Sequence, residues 1–122
     1  MELKILNVDD DMINRKLLST MIKKAEGVSE VVEVANGEEA LKELKSKKYD
    51  IVLLDIIMPI LDGLEVIRVM KADKNLQDIP IIILTTDDTK KAQALELGAN
   101  DFLPKPVRTA PLLEKIKQWT TI

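Results

Sequence analysis

Four consecutive apolar residues, Ile51–Leu54, run directly into an acid, Asp55, and this stretch constrains the fold more than any other. A continuous apolar run of strand length is typical of a strand buried on both faces, as in the middle of a parallel sheet. Helices must then cover both sides of that sheet, because parallel strands are joined by crossover connections. Asp55 would stand at the carboxyl end of the strand, where open α/β sheets bind their ligands.

The rest of the chain alternates short apolar segments with amphipathic ones. The predicted strands are Lys4–Val8, Glu30–Ala35, Ile51–Leu54, Ile81–Thr85 and Phe102–Pro104. Apolar residues at helical spacing predict helices from about Ile13 to Ala25 and over Glu38–Ser46, Leu64–Ala72, Thr89–Leu97 and Ala110–Thr120. Strand–helix units in series predict an α/β fold, a doubly wound five-stranded parallel sheet with helices on both faces. We expect one domain that covers residues 1–122.

Composition excludes several classes of function. The chain has no cysteine and no histidine, which removes disulfides, thiolate zinc sites and the commonest general base. Its net charge is -3 and its aromatic fraction is 2%, so we expect no nucleic-acid partner. No apolar run approaches the roughly 18 residues of a membrane helix, and no signal-peptide pattern opens the chain. We therefore expect a cytoplasmic protein with no membrane partner.

A second predicted strand, Lys4–Val8, also ends in acids, here Asp9, Asp10 and Asp11. The carboxyl ends of parallel strands meet at one edge of a sheet, so Asp9 and Asp10 should approach Asp55. Unit charges about 4 Å apart repel by roughly 4 kcal/mol at an effective dielectric constant near 20. A cluster of this kind requires a neutralising cation or a shifted pKa. Asp11 is expected to cap the following helix instead.

Four segments of the chain together match a known family. They are Val8-Asp9-Asp10, Asp55–Gly63, Leu84-Thr85 and Phe102-Leu103-Pro104-Lys105-Pro106, in that order. From about residue 4 to residue 119 the chain resembles bacterial two-component response-regulator receiver domains of the chemotaxis-receiver type. The resemblance implies a flavodoxin-like sheet with strand order 2-1-3-4-5.

The same resemblance implies roles for individual residues. Asp55 would accept a phosphoryl group from a phosphohistidine on a sensor histidine kinase or a phosphotransfer protein. Mg²⁺, with Mn²⁺ as a substitute, would be bound by Asp9, Asp10, Asp55 and the backbone carbonyl of Ile57. Carboxylate and carbonyl oxygens are the ligands that Mg²⁺ prefers. Thr85 and Lys105 would contact the phosphoryl oxygens, by hydroxyl donation and as a point charge.

Further implications concern signalling. Thr85 and Phe102 would form a switch that alters a surface made by the fourth helix, the fifth strand and the fifth helix. The partner on that surface would be a downstream output protein or domain, or a second copy in a phosphorylation-dependent dimer. The Lys105–Pro106 peptide bond would be cis. The chain would be no enzyme beyond promoting its own phosphorylation and dephosphorylation.

The same residues allow other interpretations. A pseudo-receiver of the same fold, which binds partners and is never phosphorylated, is the main alternative. Haloacid-dehalogenase-type phosphatases need a second acid two residues after the nucleophile, where this chain has Ile57. P-loop and dinucleotide-binding glycine patterns are absent. Asp62-Gly63 is expected to form a turn and a helix start. Asn7 places an amide in a buried strand, where it needs a hydrogen-bond partner.

Overall fold

Five parallel strands alternate with five helices in the computed structural model, which describes residues 2–120. The strands are β1 (Leu3–Val8), β2 (Val28–Val34), β3 (Ile51–Asp55), β4 (Ile81–Thr85) and β5 (Asp101–Pro104). The helices are α1 (Met12–Ile22), α2 (Gly37–Ser46), α3 (Gly63–Ala72), α4 (Asp88–Leu97) and α5 (Thr109–Thr120). Residue 1 and residues 121–122 of the predicted domain lie outside the described range.

The sheet has the order β2-β1-β3-β4-β5, which confirms the predicted doubly wound, flavodoxin-like topology. Its central strand, β3, is buried along its whole length. Val52 and Leu54 join the apolar cluster on the side of α2, α3 and α4. Ile51 and Leu53 join the cluster on the side of α1 and α5. Each such side chain contributes roughly 1.5–3 kcal/mol by leaving water, so the apolar residues of β3 before Asp55 stabilise the centre of the fold.

Two element ends differ by more than one residue from the prediction. The first helix ends at Ile22, although the apolar spacing continues to Ala25. There the Ala25 N–H donates to the Ile22 carbonyl, a tighter bond than the helical one, and the chain turns. The second strand begins at Val28 because β2 pairs with β1 from Leu3 onward.

Acids and amides begin the helices at the carboxyl edge of the sheet. The Asp11 carboxylate accepts the N–H groups of Ile13 and Asn14, as predicted. Asn36, Asp62 and Asp87 cap α2, α3 and α4 in the same way, and the predicted turn and helix start at Asp62-Gly63 is confirmed. Caps of this kind contribute about 1 kcal/mol each. These capping side chains therefore have a structural role, since each accepts a backbone N–H at the start of a helix.

Within residues 2–120, no helix combines the length and the apolar character that crossing a bilayer requires.

Candidate active site at the carboxyl edge of the sheet

The ends of two adjacent strands bring three carboxylates together. Asp55 is the last residue of β3, and Asp9 and Asp10 follow β1 directly. Val8 of β1 pairs with Leu54 of β3, which places Asp9 and Asp55 at the same level. One oxygen from each acid lies within 4.8 Å of the others. Asp9 and Asp55 are buried and Asp10 is exposed, so the cluster opens toward solvent on one side.

Lys105 places an ammonium group against this cluster. Its Nζ lies 3.3 Å from Asp55 Oδ2 and 3.5 Å from Asp9 Oδ2. The Lys105 N–H donates to the Thr85 carbonyl at 3.2 Å, which extends the β4–β5 pairing up to the site. The Lys105–Pro106 bond is cis, and the prediction for that bond is confirmed.

Thr85 ends β4 next to Asp55 in the sheet. Its side chain is buried, and Leu84, the residue before it, pairs with Asp55 across the β3–β4 ladder. Its hydroxyl oxygen accepts the Asp87 N–H at 3.0 Å. A hydroxyl has one donor and two acceptor positions, so the Thr85 hydroxyl can still donate a hydrogen bond to another oxygen while it accepts the Asp87 N–H.

The loop after β3 closes tightly on the backbone of Asp55. The Gly63 N–H donates to the Ile56 carbonyl at 2.8 Å. A Cβ atom on Gly63 would lie 2.6 Å from the Asp55 carbonyl oxygen, so only glycine fits there without displacing Asp55. Ile57 lies in this loop with an exposed side chain, two residues after Asp55. Ile60 has a φ of 70°, a region that β-branched residues rarely adopt.

Phe102 lies away from the acids, on β5. Its ring is half-buried against the apolar cluster beneath α2, α3 and α4. The Lys91 ammonium of α4 stands 3.5 Å from the ring centroid, a cation–π contact. The sequence predicted Phe102 and not Lys91, because the helical spacing of α4 does not reveal which lysine reaches β5.

Burial raises the pKa of Asp55 to about 6. The Lys105 ammonium opposes this rise, and the negative charge of Asp9 adds to it. Near neutral pH and without a cation, the ionised Asp55 is therefore held at a free-energy cost.

This cost predicts a pH dependence of stability. The folded-state pKa of Asp55, about 6, lies above the ordinary value of 3.8, so the unfolded chain loses its proton first. Stability should therefore fall by about 3 kcal/mol as pH rises from about 4 to above 6 in the absence of divalent cations. Asp55→Asn should lack that fall. Urea unfolding of both proteins in EDTA, at pH 4 and 7.5, measures the difference between them, because the wild type has lost little of this stability at pH 4. Equal pH dependence in the two would contradict the buried-charge explanation.

Comparison with known proteins agrees with this geometry. The family described as "Response regulator receiver domain" matches residues 5–117. A CpxR-homologous transcriptional regulatory protein of Haemophilus influenzae is 42% identical over 117 residues, covering 93% of this chain and 48% of that protein. A protein-glutamate methylesterase/protein-glutamine glutaminase of Oleidesulfovibrio alaskensis is 38% identical over 111 residues, covering 90% of this chain and 30% of that protein. The chain thus spans less than half the length of both relatives.

A solved structure extends the similarity to the whole chain. The receiver domain of the sensor histidine kinase PA1611 from Pseudomonas aeruginosa superposes with a TM-score of 0.90 at 31% identity, with 100% of each chain covered. That structure has a magnesium ion coordinated in its active-site cleft. Family match, fold and acidic edge agree, and the chain belongs to the response-regulator receiver domain family.

Proposed function

We propose that Asp55 accepts a phosphoryl group from a phosphohistidine on a sensor histidine kinase or phosphotransfer protein. The observation that carries this is the setting of Asp55, a buried carboxylate 3.3 Å from the Lys105 ammonium and clustered with Asp9 and Asp10. A carboxylate that is ionised at a free-energy cost is typical of a functional site, where its negative charge takes part in binding or catalysis. We expect this exchange in the cytoplasm, where histidine kinases have access to ATP.

The chemistry follows from the positions of the side chains. An Asp55 carboxylate oxygen attacks phosphorus, and a P–O bond forms as the P–N bond to the donor imidazole breaks. The bonding electrons leave with the imidazole nitrogen. The Lys105 ammonium can stabilise the negative charge of the transferred phosphoryl group. The Thr85 hydroxyl can donate a hydrogen bond to a phosphoryl oxygen. In this scheme the chain promotes its own phosphorylation and dephosphorylation.

The acidic cluster fits a divalent cation. Three carboxylates and one ammonium leave two negative charges, and one oxygen of each acid lies within 4.8 Å of the others. In our proposal Asp9, Asp10, Asp55 and the Ile57 carbonyl hold Mg²⁺, and Mn²⁺ can replace it. The bound cation would offset the negative charge shared by the carboxylates and the phosphoryl group.

A phosphorylation assay tests the proposal. The purified chain is incubated with acetyl phosphate, with MgCl₂ or with EDTA, and the intact mass is measured. We expect uptake of one phosphoryl group with MgCl₂ and none with EDTA. No uptake under either condition would favour the pseudo-receiver, whose partner binding needs no phosphoryl group.

Apolar side chains near the acidic cluster support a protein donor. Five large ones are exposed on α1 and the β3–α3 loop: Met12, Ile13, Leu17, Ile57 and Ile60. Leu17 also lines a cavity of about 370 Å³ together with Asp9 and Lys105. Exposed apolar groups around a polar site are typical of a surface that binds another protein. We propose that the phosphohistidine protein docks there.

The output surface in our proposal is the face of α4, β5 and α5. Phosphorylation would draw the Thr85 hydroxyl toward Asp55, and Phe102 would then move. The Lys91–Phe102 contact stabilises the present ring position by about 0.5–1 kcal/mol. An output protein or domain, or a second copy in a phosphorylation-dependent dimer, would bind this face.

The cation–π contact predicts an effect on the switch. Lys91→Met keeps the length of the side chain and removes its charge, so Phe102 should leave its present position more readily. We expect the variant to bind beryllofluoride, a phosphoryl mimic, about two to five times more tightly, which corresponds to that range of energies. Lys90→Met is the matched control and should bind like the wild type. Equal affinity in all three proteins would contradict a role of Lys91 in the switch.

A further inference from the structure

A polar network lies under α1, where the other inward residues are apolar. The Arg15 Nε donates to Glu33 Oε1 at 3.2 Å, and its Nη1 donates to the Asp9 carbonyl oxygen at 2.8 Å. The Asn7 side-chain amide donates to the Arg15 carbonyl at 2.9 Å and to the Ser19 hydroxyl at 3.0 Å. Asn7 and Glu33 are paired across the β1–β2 ladder, so their side chains leave the same face of the sheet.

This network holds α1 on the sheet less favourably than apolar contacts would, because it leaves a buried polar atom unpaired. Asn7 is fully buried, and its Oδ1 has no hydrogen-bond partner within residues 2–120. A buried polar atom left unpaired costs about 1–3 kcal/mol. The Arg15–Glu33 ion pair is only partly buried, with 15% and 19% of the two side chains exposed, and apolar residues of similar volume often stabilise a fold as well as such a pair does. Stability alone therefore does not explain why Arg15 and Glu33 occupy this interface.

The carbonyl that Arg15 binds has a special position. It belongs to the peptide unit between Asp9 and Asp10, the two acids that follow β1. A peptide unit is planar, so a bond to its oxygen fixes the orientation of the whole plane and of both adjoining Cα atoms. The Asp9 N–H donates to the Val34 carbonyl at 3.2 Å, which holds the other side of Asp9. The backbone that carries both carboxylates is thus hydrogen-bonded on one side to Val34 of β2 and on the other side to Arg15 of α1.

We propose that Arg15, oriented by Glu33, is a positioning residue for the metal site, because it fixes the peptide unit that aims Asp9 and Asp10 at a bound cation. The inference rests on the proposed function, since it concerns the same acidic site. It requires the forked guanidinium, because one nitrogen binds Glu33 while another binds the Asp9 carbonyl.

Positioning and simple electrostatics predict opposite signs for the loss of Arg15. Removal of a positive charge near an acidic cluster should tighten the binding of a cation. Removal of a positioning contact should weaken it, because partners that orient metal ligands typically contribute 10–100-fold in metal affinity. Lys16 offers a matched control. Its Nζ lies 3.2 Å from the same Glu33 oxygen, but it makes no bond to the Asp9 carbonyl.

The test is a titration with MgCl₂ of the wild type, Arg15→Met, Arg15→Lys and Lys16→Met, followed by calorimetry or by amide NMR shifts. We expect Kd to rise about tenfold in Arg15→Met, the lower end of the range for such partners. Arg15→Lys keeps the charge but not the fork, so it should also bind several times more weakly. Lys16→Met should stay within about twofold of the wild type. Unchanged or tighter binding in Arg15→Met would overturn the inference, as would wild-type affinity in Arg15→Lys.

Two further measurements keep the result interpretable. Urea unfolding shows which variants are folded at the titration temperature, and Arg15→Lys retains the aliphatic stem if Arg15→Met fails to fold. Asp10→Asn is titrated alongside and should show no measurable Mg²⁺ binding, which identifies the acidic cluster as the site that the titration reports. If the wild type binds no Mg²⁺, the proposed metal site fails and the inference fails with it. If the wild type binds and the Arg15 variants bind equally well, the inference alone is overturned.

Discussion

Asp55→Asn is expected to take up no phosphoryl group from acetyl phosphate, whereas the wild type takes up one. The substitution preserves size and shape, so the buried site stays filled. An amide oxygen carries no negative charge and is a poor nucleophile toward phosphorus, so the loss of uptake should be complete. The measurement is the intact mass after incubation with acetyl phosphate and MgCl₂.

The matched control for this experiment is Asp50→Asn. Asp50 immediately precedes β3, so the same change is made at the opposite end of the same strand, at an exposed position. Its carboxylate accepts the Lys4 N–H and is remote from the acidic cluster. This variant should be phosphorylated like the wild type. A mass increase that persists in Asp55→Asn would assign the phosphoryl group to another residue.

Asp10→Asn is expected to abolish measurable Mg²⁺ binding. Asp10 is the exposed member of the cluster, so its replacement should leave the core intact. Loss of a direct ligand should raise Kd by at least the roughly 100-fold that loss of an outer partner can cause. Calorimetric titration with MgCl₂ at neutral pH measures the change.

Asp11→Asn controls for the loss of one negative charge. Asp11 caps α1 through its side-chain oxygen, and asparagine caps helices about equally well. This neighbour should therefore bind Mg²⁺ within a fewfold of the wild type. Equal affinity of Asp10→Asn and wild type would contradict the assignment of Asp10 as a ligand.

The fold and most of the acidic site could be predicted from the sequence because both depend on short-range patterns. The apolar run Ile51–Leu54 predicted that β3 is a central strand, and β3 is buried on both faces. Strand ends then determined which acids meet, since parallel strands share a carboxyl edge. Asp9, Asp10 and Asp55 do meet there. The role of Lys105 was implied by the resemblance to receiver domains and by no local pattern, and its ammonium lies within 3.5 Å of two of these acids.

Contacts that depend on the packing of one element on another could not be predicted. Arg15 lies at helical spacing from Leu18 and Ile22, which face the sheet, so an inward arginine was a usable signal. Its bond to the Asp9 carbonyl, however, depends on the exact height of α1 above the sheet. The Lys91 contact with Phe102 likewise depends on the rotation of α4.

Locating the phosphoryl group within the chain tests the central claim most directly. The phosphorylated protein is treated with sodium borohydride, which reduces an aspartyl phosphate to homoserine, and its peptides are sequenced by tandem mass spectrometry. We predict homoserine at position 55, with unmodified aspartate at positions 9 and 10. Homoserine at position 9 or 10, or at any other aspartate, would contradict the assignment of Asp55 as the phosphoacceptor.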